Sequence, residues 1–159
     1  MTTVLIVDDD KTLQLALTRR LEAQGFEVIN ANSGQEALHL LTTRSADIVL
    51  SDILMPGMDG FEFCRQVRAC PGGQMIPFIF LSSLGEVSDR VQGHLIGADD
   101  YLVKPFHAQE LIAKVKGNVA RLQRLQDSIQ VPAPEPAPTK DSPPEDLTAA
   151  ELKVFWQVI

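Results

Sequence analysis

The sequence predicts an α/β fold, a doubly wound five-stranded parallel sheet with helices on both faces. Short apolar runs that suit strands alternate with longer stretches in which apolar residues recur every three or four positions, as they do on one face of a helix. The strand-like runs are apolar throughout, which is typical of parallel strands buried on both faces. One core is expected, since 159 residues allow a full domain and a small addition.

The elements follow one another as strand and helix, repeated five times. In the first helix Leu13, Leu17 and Leu21 are spaced by four residues, so they form an apolar face that packs on the sheet. The last helix is expected at about 107–127. In such folds, ligands bind beyond the carboxyl ends of the strands. The predicted strands are VLIV at 4–7, FEVIN at 26–30, DIVLS at 47–51, PFIFLS at 77–82 and YLV at 101–103.

Composition and charge exclude several classes of protein. With 14 Lys and Arg against 21 Asp and Glu, the net charge is −7, so the chain lacks the basic surface of a nucleic-acid binder. No apolar run approaches the roughly 18 residues that a membrane span needs. Met1 leads almost directly into a strand, without the features of a signal peptide, so we expect a cytoplasmic protein. We expect Cys64 and Cys70 to be reduced packing residues.

The composition changes after the last helix. Residues 131–146 contain six prolines, which excludes regular helix or sheet, so we predict a Pro-rich linker at 129–146. As extended polyproline II, this linker would span on the order of 50 Å. A helical tail is predicted at 147–159, too short to fold alone. Its apolar stripe consists of Leu152, Phe155, Trp156 and Ile159.

Acidic residues follow two of the predicted strands, at the point where each strand ends. Asp8 and Asp9 come directly after strand one, and Asp52 comes directly after strand three. Because the carboxyl ends of parallel strands meet at one edge of a sheet, we expect these carboxylates to converge. Such a pocket of hard oxygen ligands suits Mg²⁺. Crowded carboxylates also repel one another until a cation or a proton neutralises them.

A cation and a hydroxyl group complete the predicted site. Lys104 directly follows strand five, where it can neutralise a phosphoryl oxygen, and Ser82 ends strand four, where it can donate a hydrogen bond to another. A carboxylate nucleophile, a divalent metal and a positive group are the parts that phosphoryl transfer needs. The pattern therefore predicts an acyl phosphate on an aspartate.

Four blocks of the sequence resemble the receiver domain of bacterial response regulators, over about residues 3–127. The blocks are VLIVDDD, SDILMPGMDG, FLSS and GADDYLVKPF, in this order and spacing. The resemblance implies the flavodoxin-like strand order 2-1-3-4-5 and a receiver domain at 1–128. It also implies a signalling protein and not an enzyme, which takes a phosphoryl group from a sensor histidine kinase with Mg²⁺ as cofactor.

The resemblance assigns roles in the phosphorylation site. It makes Asp52 the phosphoacceptor and Lys104 the residue that contacts the phosphoryl group. Asp9, Asp52 and the backbone carbonyl of Leu54 become Mg²⁺ ligands, with Asp8 assisting. The peptide bond that follows Lys104 is expected to be cis, since it precedes a proline.

The resemblance also implies a conformational switch and a lifetime for the phosphoryl group. Ser82 and Tyr101 match the hydroxyl and aromatic switch positions, and we expect Tyr101 to turn toward the core on phosphorylation. Leu54 and Leu84 occupy the positions that tune hydrolysis of the aspartyl phosphate. Since neither leucine can orient a water molecule, we predict slow self-dephosphorylation.

A second enzymatic interpretation is available. Asp8, Asp10 and Thr12 match the DxDxT motif of haloacid-dehalogenase-like phosphatases, which would make Asp8 the nucleophile. That interpretation leaves Asp52 and the segment after it unexplained, and the chain has no cap domain. Asp10 and Asp59 are instead predicted to cap helices.

The output of the predicted receiver stays open. The tail sequence LTAAELKVF resembles the first helix of NarL/LuxR-type helix-turn-helix domains, and a Pro-rich linker before it favours that type over OmpR/PhoB-type winged helices. The receiver half looks more like the OmpR/PhoB type. The chain ends at Ile159, before a recognition helix, so we expect it to regulate transcription only through an output domain that is incomplete here. The alternative is a stand-alone phosphosignalling module that acts by docking on a protein.

Two surfaces are predicted to bind proteins. In helix one, Gln14 and Leu15 are expected to contribute to kinase choice. The face formed by helix four, strand five and helix five carries mixed charges that suit a symmetric homodimer favoured by phosphorylation. These charges belong to Arg90, Asp99, Asp100, Glu110 and Lys114.

Overall fold

A computed structural model describes residues 1–130 and confirms the predicted five-stranded parallel sheet. The strand order is β2-β1-β3-β4-β5, and every neighbouring pair is parallel. The strands are β1 (Thr3–Val7), β2 (Glu27–Ala31), β3 (Ile48–Ser51), β4 (Phe78–Ser82) and β5 (Asp100–Val103). The helices are α1 (Lys11–Ala23), α2 (Gly34–Leu41), α3 (Gly60–Ala69), α4 (Val87–Ile96) and α5 (Ala108–Gln130).

The observed elements begin and end close to the predicted residues. Strand β2 begins at Glu27, one residue later than predicted, because Phe26 donates its N–H to the carbonyl of Leu21 and so belongs to the turn that closes α1. A compact unit covers Met1–Gln123. The predicted linker at 129–146 and tail at 147–159 fall almost wholly outside the described residues. No helix within 1–130 is long and apolar enough to cross a membrane.

The core consists of two apolar layers, one on each face of the sheet. Because side chains alternate along a strand, Val4 and Ile6 of β1 face one layer and Leu5 and Val7 face the other. Helices α1 and α5 cover the first layer, to which α1 contributes Leu17 and Leu21 as predicted. Helices α2 and α3 contribute their buried residues to the second layer. The sheet is therefore buried on both faces, as its uniformly apolar strands predict.

Two aspartates begin helices, as predicted. The Asp10 carboxylate accepts hydrogen bonds from the N–H groups of Thr12 and Leu13, and the Asp59 carboxylate accepts one from Glu62. Such caps satisfy N–H groups that have no partner inside the helix. Both aspartates are therefore explained by helix capping.

The two free cysteines have different environments. Cys64 is buried in α3, and burial raises the pKa of its thiol to about 11. Cys70 is exposed, so the prediction that it packs in the core is wrong. Helix α3 ends at Ala69, since Pro71 disfavours a helical backbone at the residue before it. Cys70 is extended and leaves the buried face of the helix.

Helix α3 begins against the loop that follows β3, and only glycine fits at its first position. Gly60 donates its N–H to the Ile53 carbonyl at 2.8 Å, and a Cβ atom at Gly60 would overlap the carbonyl oxygen of Asp52. By contrast, Gly117 in α5 has open space where a Cβ atom would lie.

Substitution of these two glycines should have opposite effects. Gly60→Ala should lower the free energy of unfolding by about 2 kcal/mol, because the loop must move to admit the methyl group. Gly117→Ala should raise it by about 1 kcal/mol, because alanine is the better helix former. Urea unfolding of both variants measures the difference. Equal effects would show that α3 does not pack on this loop as described.

Candidate functional site

The carboxyl ends of β1, β3 and β5 bring three carboxylates and one lysine together, in what we call the acidic pocket. Carboxylate oxygens of Asp8, Asp9 and Asp52 all lie within 4.8 Å of one another. Lys104 Nζ donates to Asp8 Oδ2 at 3.0 Å and to Asp52 Oδ2 at 3.3 Å. Asp8 and Asp52 are 2% and 8% exposed, whereas Asp9 is exposed to solvent.

The register of the sheet explains why Asp8 and Asp52 are neighbours. Val7, the last residue of β1, pairs with Ser51, the last residue of β3. The Asp52 N–H continues this ladder by donating to the Val7 carbonyl at 2.9 Å. On the other side of β1, the Asp8 N–H donates to Ala31 at the end of β2, at 3.1 Å. The two carboxylates therefore emerge side by side above adjacent strands.

Backbone amides orient the carboxylate of Asp52. Its Oδ1 atom accepts hydrogen bonds from the N–H groups of Ile53 at 2.7 Å and Leu54 at 3.3 Å. Its Oδ2 atom is the one that Lys104 contacts. Hydrogen bonds from the main chain cost little entropy to form, because the loop that carries the donors is already ordered. One oxygen of the carboxylate is thus fixed by the loop, and the other lies toward the charged groups of the pocket.

Burial and charge oppose each other in the acidic pocket. Burial raises the pKa of Asp8, and the hydrogen bonds from the Asp10 N–H and from Lys104 oppose this rise without cancelling it. Burial acts to lower the pKa of Lys104, but the carboxylates of Asp8 and Asp52 outweigh it and the pKa is raised. Lys104 therefore stays protonated. The raised pKa means that the ionised form of Asp8 is disfavoured in the folded state, so a bound cation would stabilise that form. As the pH falls through the raised pKa of Asp8, protons would compete with the cation for this carboxylate.

Ser82 lies at the edge of the acidic pocket, at the end of β4. Its carbonyl oxygen accepts the Lys104 N–H at 2.8 Å, so the two residues are tied through the backbone. The Ser82 hydroxyl is fully buried and accepts the Leu84 N–H at 3.3 Å. Among the hydrogen bonds of residues 1–130, the Ser82 side chain makes none to Asp52. Its approach to a phosphoryl group therefore stays a prediction.

Tyr101 is turned toward the core in this structure. It is buried, its ring packs 6.1 Å from that of Phe80, and its hydroxyl donates to the Leu84 carbonyl at 2.6 Å. Burial raises the pKa of Tyr101, which keeps the hydroxyl protonated as a donor. The inward position expected for the phosphorylated form is therefore the position that Tyr101 holds here. Leu84 connects it to Ser82, because its N–H and its carbonyl bind one hydroxyl each.

The two leucines that were predicted to tune hydrolysis of the aspartyl phosphate differ in their exposure to solvent. Leu54 follows the phosphoacceptor loop and is 52% exposed, while Leu84 is partly buried against the core. Neither has a polar side-chain atom that can bind water. The peptide bond between Lys104 and Pro105 is cis, as expected.

Gln14 supports the pocket from the buried face of α1 and offers little surface to a kinase, so its contribution to kinase choice stays a prediction. It is 7% exposed, and its Nε2 atom donates to the Asp8 carbonyl at 2.6 Å and the Ala31 carbonyl at 2.8 Å. Gln14 is buried because it lies three residues before Leu17 and therefore shares the buried face of α1. Leu15 is 54% exposed and remains accessible.

The charges predicted for a dimer surface are largely paired within the chain. Lys114 Nζ lies 3.2 Å from Asp100 Oδ1. Asp99 Oδ2 accepts from Arg68 at 3.1 Å and from the Phe78 N–H at 2.9 Å, so it holds the start of β4. No local sequence pattern indicates this role, because Arg68 precedes Asp99 by 31 residues. The exposed apolar residues of α4 are Val87, Val91 and Leu95, which are 66%, 49% and 82% exposed.

A cavity of about 540 Å³ lies at the opposite end of the sheet from the acidic pocket. It is close to the amino ends of β3 and β4, and its walls include Leu41, Val67 and Ile76. No residue of the acidic pocket contributes to it. The chemistry predicted from the sequence therefore belongs to the strand ends and not to this cavity.

Comparison with known proteins identifies the family. The family model of the response regulator receiver domain matches residues 4–116. The phosphate regulon transcriptional regulatory protein PhoB of Rhizobium meliloti is 42% identical over 118 residues, which are 74% of this chain and 52% of that protein. A probable transcriptional regulator, ycf27, of Pyropia yezoensis is 40% identical over 129 residues, which are 81% of this chain and 52% of its own length.

Solved structures agree with the sequence relatives. A putative response regulator from Chloroflexus aurantiacus superposes with a TM-score of 0.72 at 41% identity, covering 75% of this chain and 98% of its own. The chemotaxis protein CheY4 of Vibrio cholerae superposes with a TM-score of 0.71 at 32% identity, covering 74% of this chain and 98% of its own. The chain belongs to the response regulator receiver domain family. It spans about half the length of the sequence relatives it matches.

Proposed function

We propose that this receiver domain accepts a phosphoryl group on Asp52 from a sensor histidine kinase and acts as a signalling protein, not as an enzyme. The observation that carries the proposal is the environment of the Asp52 carboxylate. One oxygen is held by the N–H of Ile53 at 2.7 Å, and the other lies 3.3 Å from Lys104. A nucleophile is thus oriented beside the cation that an incoming phosphoryl group requires.

The acidic pocket fits Mg²⁺ by the chemistry of its donors. Three of its donors are carboxylate oxygens that lie within 4.8 Å of one another, and Mg²⁺ prefers such hard oxygen ligands. Asp8, Asp9 and Asp52 would hold the ion together with the backbone carbonyl of Leu54. Bound Mg²⁺ would neutralise the carboxylates and the charge on the phosphoryl oxygens.

The transfer itself needs few protein groups. A carboxylate oxygen of Asp52 attacks the phosphorus of a phosphohistidine, and a new P–O bond forms as the P–N bond breaks. The imidazole nitrogen keeps the electron pair of the broken bond. Lys104 pairs with one equatorial oxygen of the phosphoryl group, and the Ser82 hydroxyl turns from Leu84 to donate to another. The product is an aspartyl phosphate.

Substitution of two aspartates distinguishes this proposal from the phosphatase interpretation. Asp52→Asn should abolish incorporation of label from a small phosphodonor such as acetyl phosphate, because the nucleophile is lost. Asp8→Asn should retain labelling at a reduced rate, because the remaining carboxylates still hold a cation. Label retained by Asp52→Asn and lost by Asp8→Asn would refute the proposal and favour Asp8 as the nucleophile. Transfer from candidate histidine kinases, scored in the same variants, identifies the partner.

The side chains near the phosphoacceptor support a long-lived signal. Leu54 follows Asp52 by two residues and is half exposed, and its side chain offers no hydrogen bond to a water molecule. Leu84 is similarly apolar. The aspartyl phosphate is therefore protected from attack by an oriented water molecule.

Introduction of a polar group at position 54 should shorten the lifetime of the phosphoryl group. Leu54→Asn should accelerate decay by about tenfold, because the amide can orient an attacking water. Leu54→Met, which keeps an apolar side chain of similar size, should leave the rate near that of the native chain. Loss of label after removal of the phosphodonor measures both. Unchanged decay in Leu54→Asn would remove the role assigned to Leu54.

We propose that the output of the signal is regulation of transcription, exerted through a DNA-binding domain. The support comes from relatives that are named as transcriptional regulators. The region that matches this chain makes up about half of the length of each of these relatives. The alternative, a stand-alone module that docks on another protein, predicts no DNA binding by the full-length gene product. The choice between a NarL/LuxR-type and an OmpR/PhoB-type output depends on residues 147–159, which lie outside the described part of the chain.

We propose that phosphorylation favours a homodimer through the face of α4, β5 and α5. Because Asp99, Asp100 and Lys114 are paired within the chain, the attraction between two copies depends mainly on the apolar residues of α4. Val91 and Leu95 are spaced by four residues and lie on one exposed stripe. Burial of such side chains on association contributes about 25 cal/mol per Å².

A charge in this stripe should prevent dimer formation. Leu95→Glu should weaken the dimer by at least about tenfold in dissociation constant, since a carboxylate would be buried at the contact. Met75→Glu is the matched control, because Met75 is exposed and apolar but lies outside this face. Light scattering with beryllofluoride as the phosphoryl mimic measures the assembly. A native chain that is monomeric with and without the mimic would refute the dimer.

A further inference from the structure

A buried amide joins helix α1 to the acidic pocket. Gln14 has two N–H groups on Nε2, and these donate at 2.6 Å to the Asp8 carbonyl and at 2.8 Å to the Ala31 carbonyl. The residue is 7% exposed. Burial of an amide is costly unless its hydrogen bonds are made, so both bonds constrain the groups that accept them.

The two carbonyl groups that accept from Gln14 are both tied to the Asp8 backbone, so their positions affect the acidic pocket. The Asp8 carbonyl belongs to the peptide unit that joins Asp8 to Asp9, so its direction sets the orientation of both residues that leave the end of β1. The Ala31 carbonyl also accepts the Asp8 N–H at 3.1 Å. Gln14 and β2 together therefore hold the backbone on both sides of the Asp8 carboxylate.

The other side of this loop is held by the Asp8 carboxylate itself. Asp8 Oδ1 accepts the N–H of Asp10 at 2.9 Å, which bends the chain into α1. Asp9 lies between these two restraints and is exposed. Its backbone is thus fixed by neighbours on each side while its own carboxylate remains accessible to an ion.

We propose that Gln14 is a positioning residue that orients the Asp8–Asp9 peptide for binding of a divalent cation, an inference that rests on the proposed Mg²⁺ site. Gln14 does not touch the ion. It acts through the backbone of the two carboxylates, as residues behind metal ligands commonly do, and loss of such support typically weakens metal binding by about 10- to 100-fold.

The experiment uses the full chain and measures Mg²⁺ binding directly by isothermal titration calorimetry. Gln14→Met keeps the length and volume of the side chain but has no donor, so the dissociation constant for Mg²⁺ should rise by about tenfold. Leu21→Val is the stability control, since it lies on the buried face of α1 one turn or more from the pocket and loses only core packing. Its melting temperature in EDTA should fall while its Mg²⁺ affinity stays within about twofold of the native value.

A second measurement separates positioning from a general loss of structure. In Gln14→Met, the Mg²⁺ concentration that half-saturates phosphorylation by acetyl phosphate should rise by about tenfold, while KM for acetyl phosphate at saturating Mg²⁺ stays unchanged. A merely unfolded fraction would lower the amount of product without moving either constant. Native Mg²⁺ affinity in Gln14→Met, or an equal loss of affinity in Leu21→Val, would overturn the inference. A native chain that binds no Mg²⁺ would refute the proposed site itself, and the inference with it.

Discussion

The parallel register of β1 with β3 is the constraint on which the acidic pocket depends. Because Val7 pairs with Ser51, the residues that follow each strand leave the sheet at the same height, and Asp8 and Asp52 become neighbours. Two largely buried carboxylates of like charge are unfavourable in the absence of a counter-charge. Lys104 supplies that charge from the end of β5 with contacts of 3.0 and 3.3 Å. The fold thus holds together groups that would separate in a flexible chain.

The buried carboxylates of the acidic pocket lower the stability of the folded protein, although they form its functional site. The raised pKa of Asp8 shows that the folded state makes its charge costly, with Lys104 compensating only in part. An unfavourable arrangement of charge of this kind is expected at functional sites. The pocket is also responsive, because a cation, a proton or a phosphoryl group each changes its charge balance. Backbone bonds to Asp52 and side-chain bonds from Gln14 keep the geometry fixed while the charge changes.

The pocket is connected to the surface through a short path. Ser82 at the pocket edge and Tyr101 near α4 both bind Leu84, one at its N–H and one at its carbonyl. A movement of Ser82 toward a phosphoryl group would break the first bond and shift the loop that holds the second. Gly93 of α4 lies close to the Tyr101 ring, where an added Cβ atom would approach within 3.2 Å. If phosphorylation of Asp52 moves Ser82 as proposed, this path leads to α4, the helix whose apolar residues are exposed.

The sequence by itself determined the fold, the family and the place of the site. Strand runs that are apolar throughout require a sheet covered on both faces, and strand ends of a parallel sheet must meet at one edge. Asp8, Asp52 and Lys104 could be placed together on this ground alone. The caps at Asp10 and Asp59 were equally predictable, because capping depends on residues only two or three positions apart.

Only the tertiary structure decided which partners the polar side chains bind. Gln14 binds Ala31 across 17 residues, and Arg68 binds Asp99 across 31, so no local pattern indicates either pair. For this reason the sequence does not indicate that Gln14 supports the pocket or that Asp99 holds the start of β4. The inward position of Tyr101 depends likewise on space beside Phe80 and Gly93. Periodicity reports which face of an element is buried, whereas hydrogen-bond partners follow from how distant elements pack.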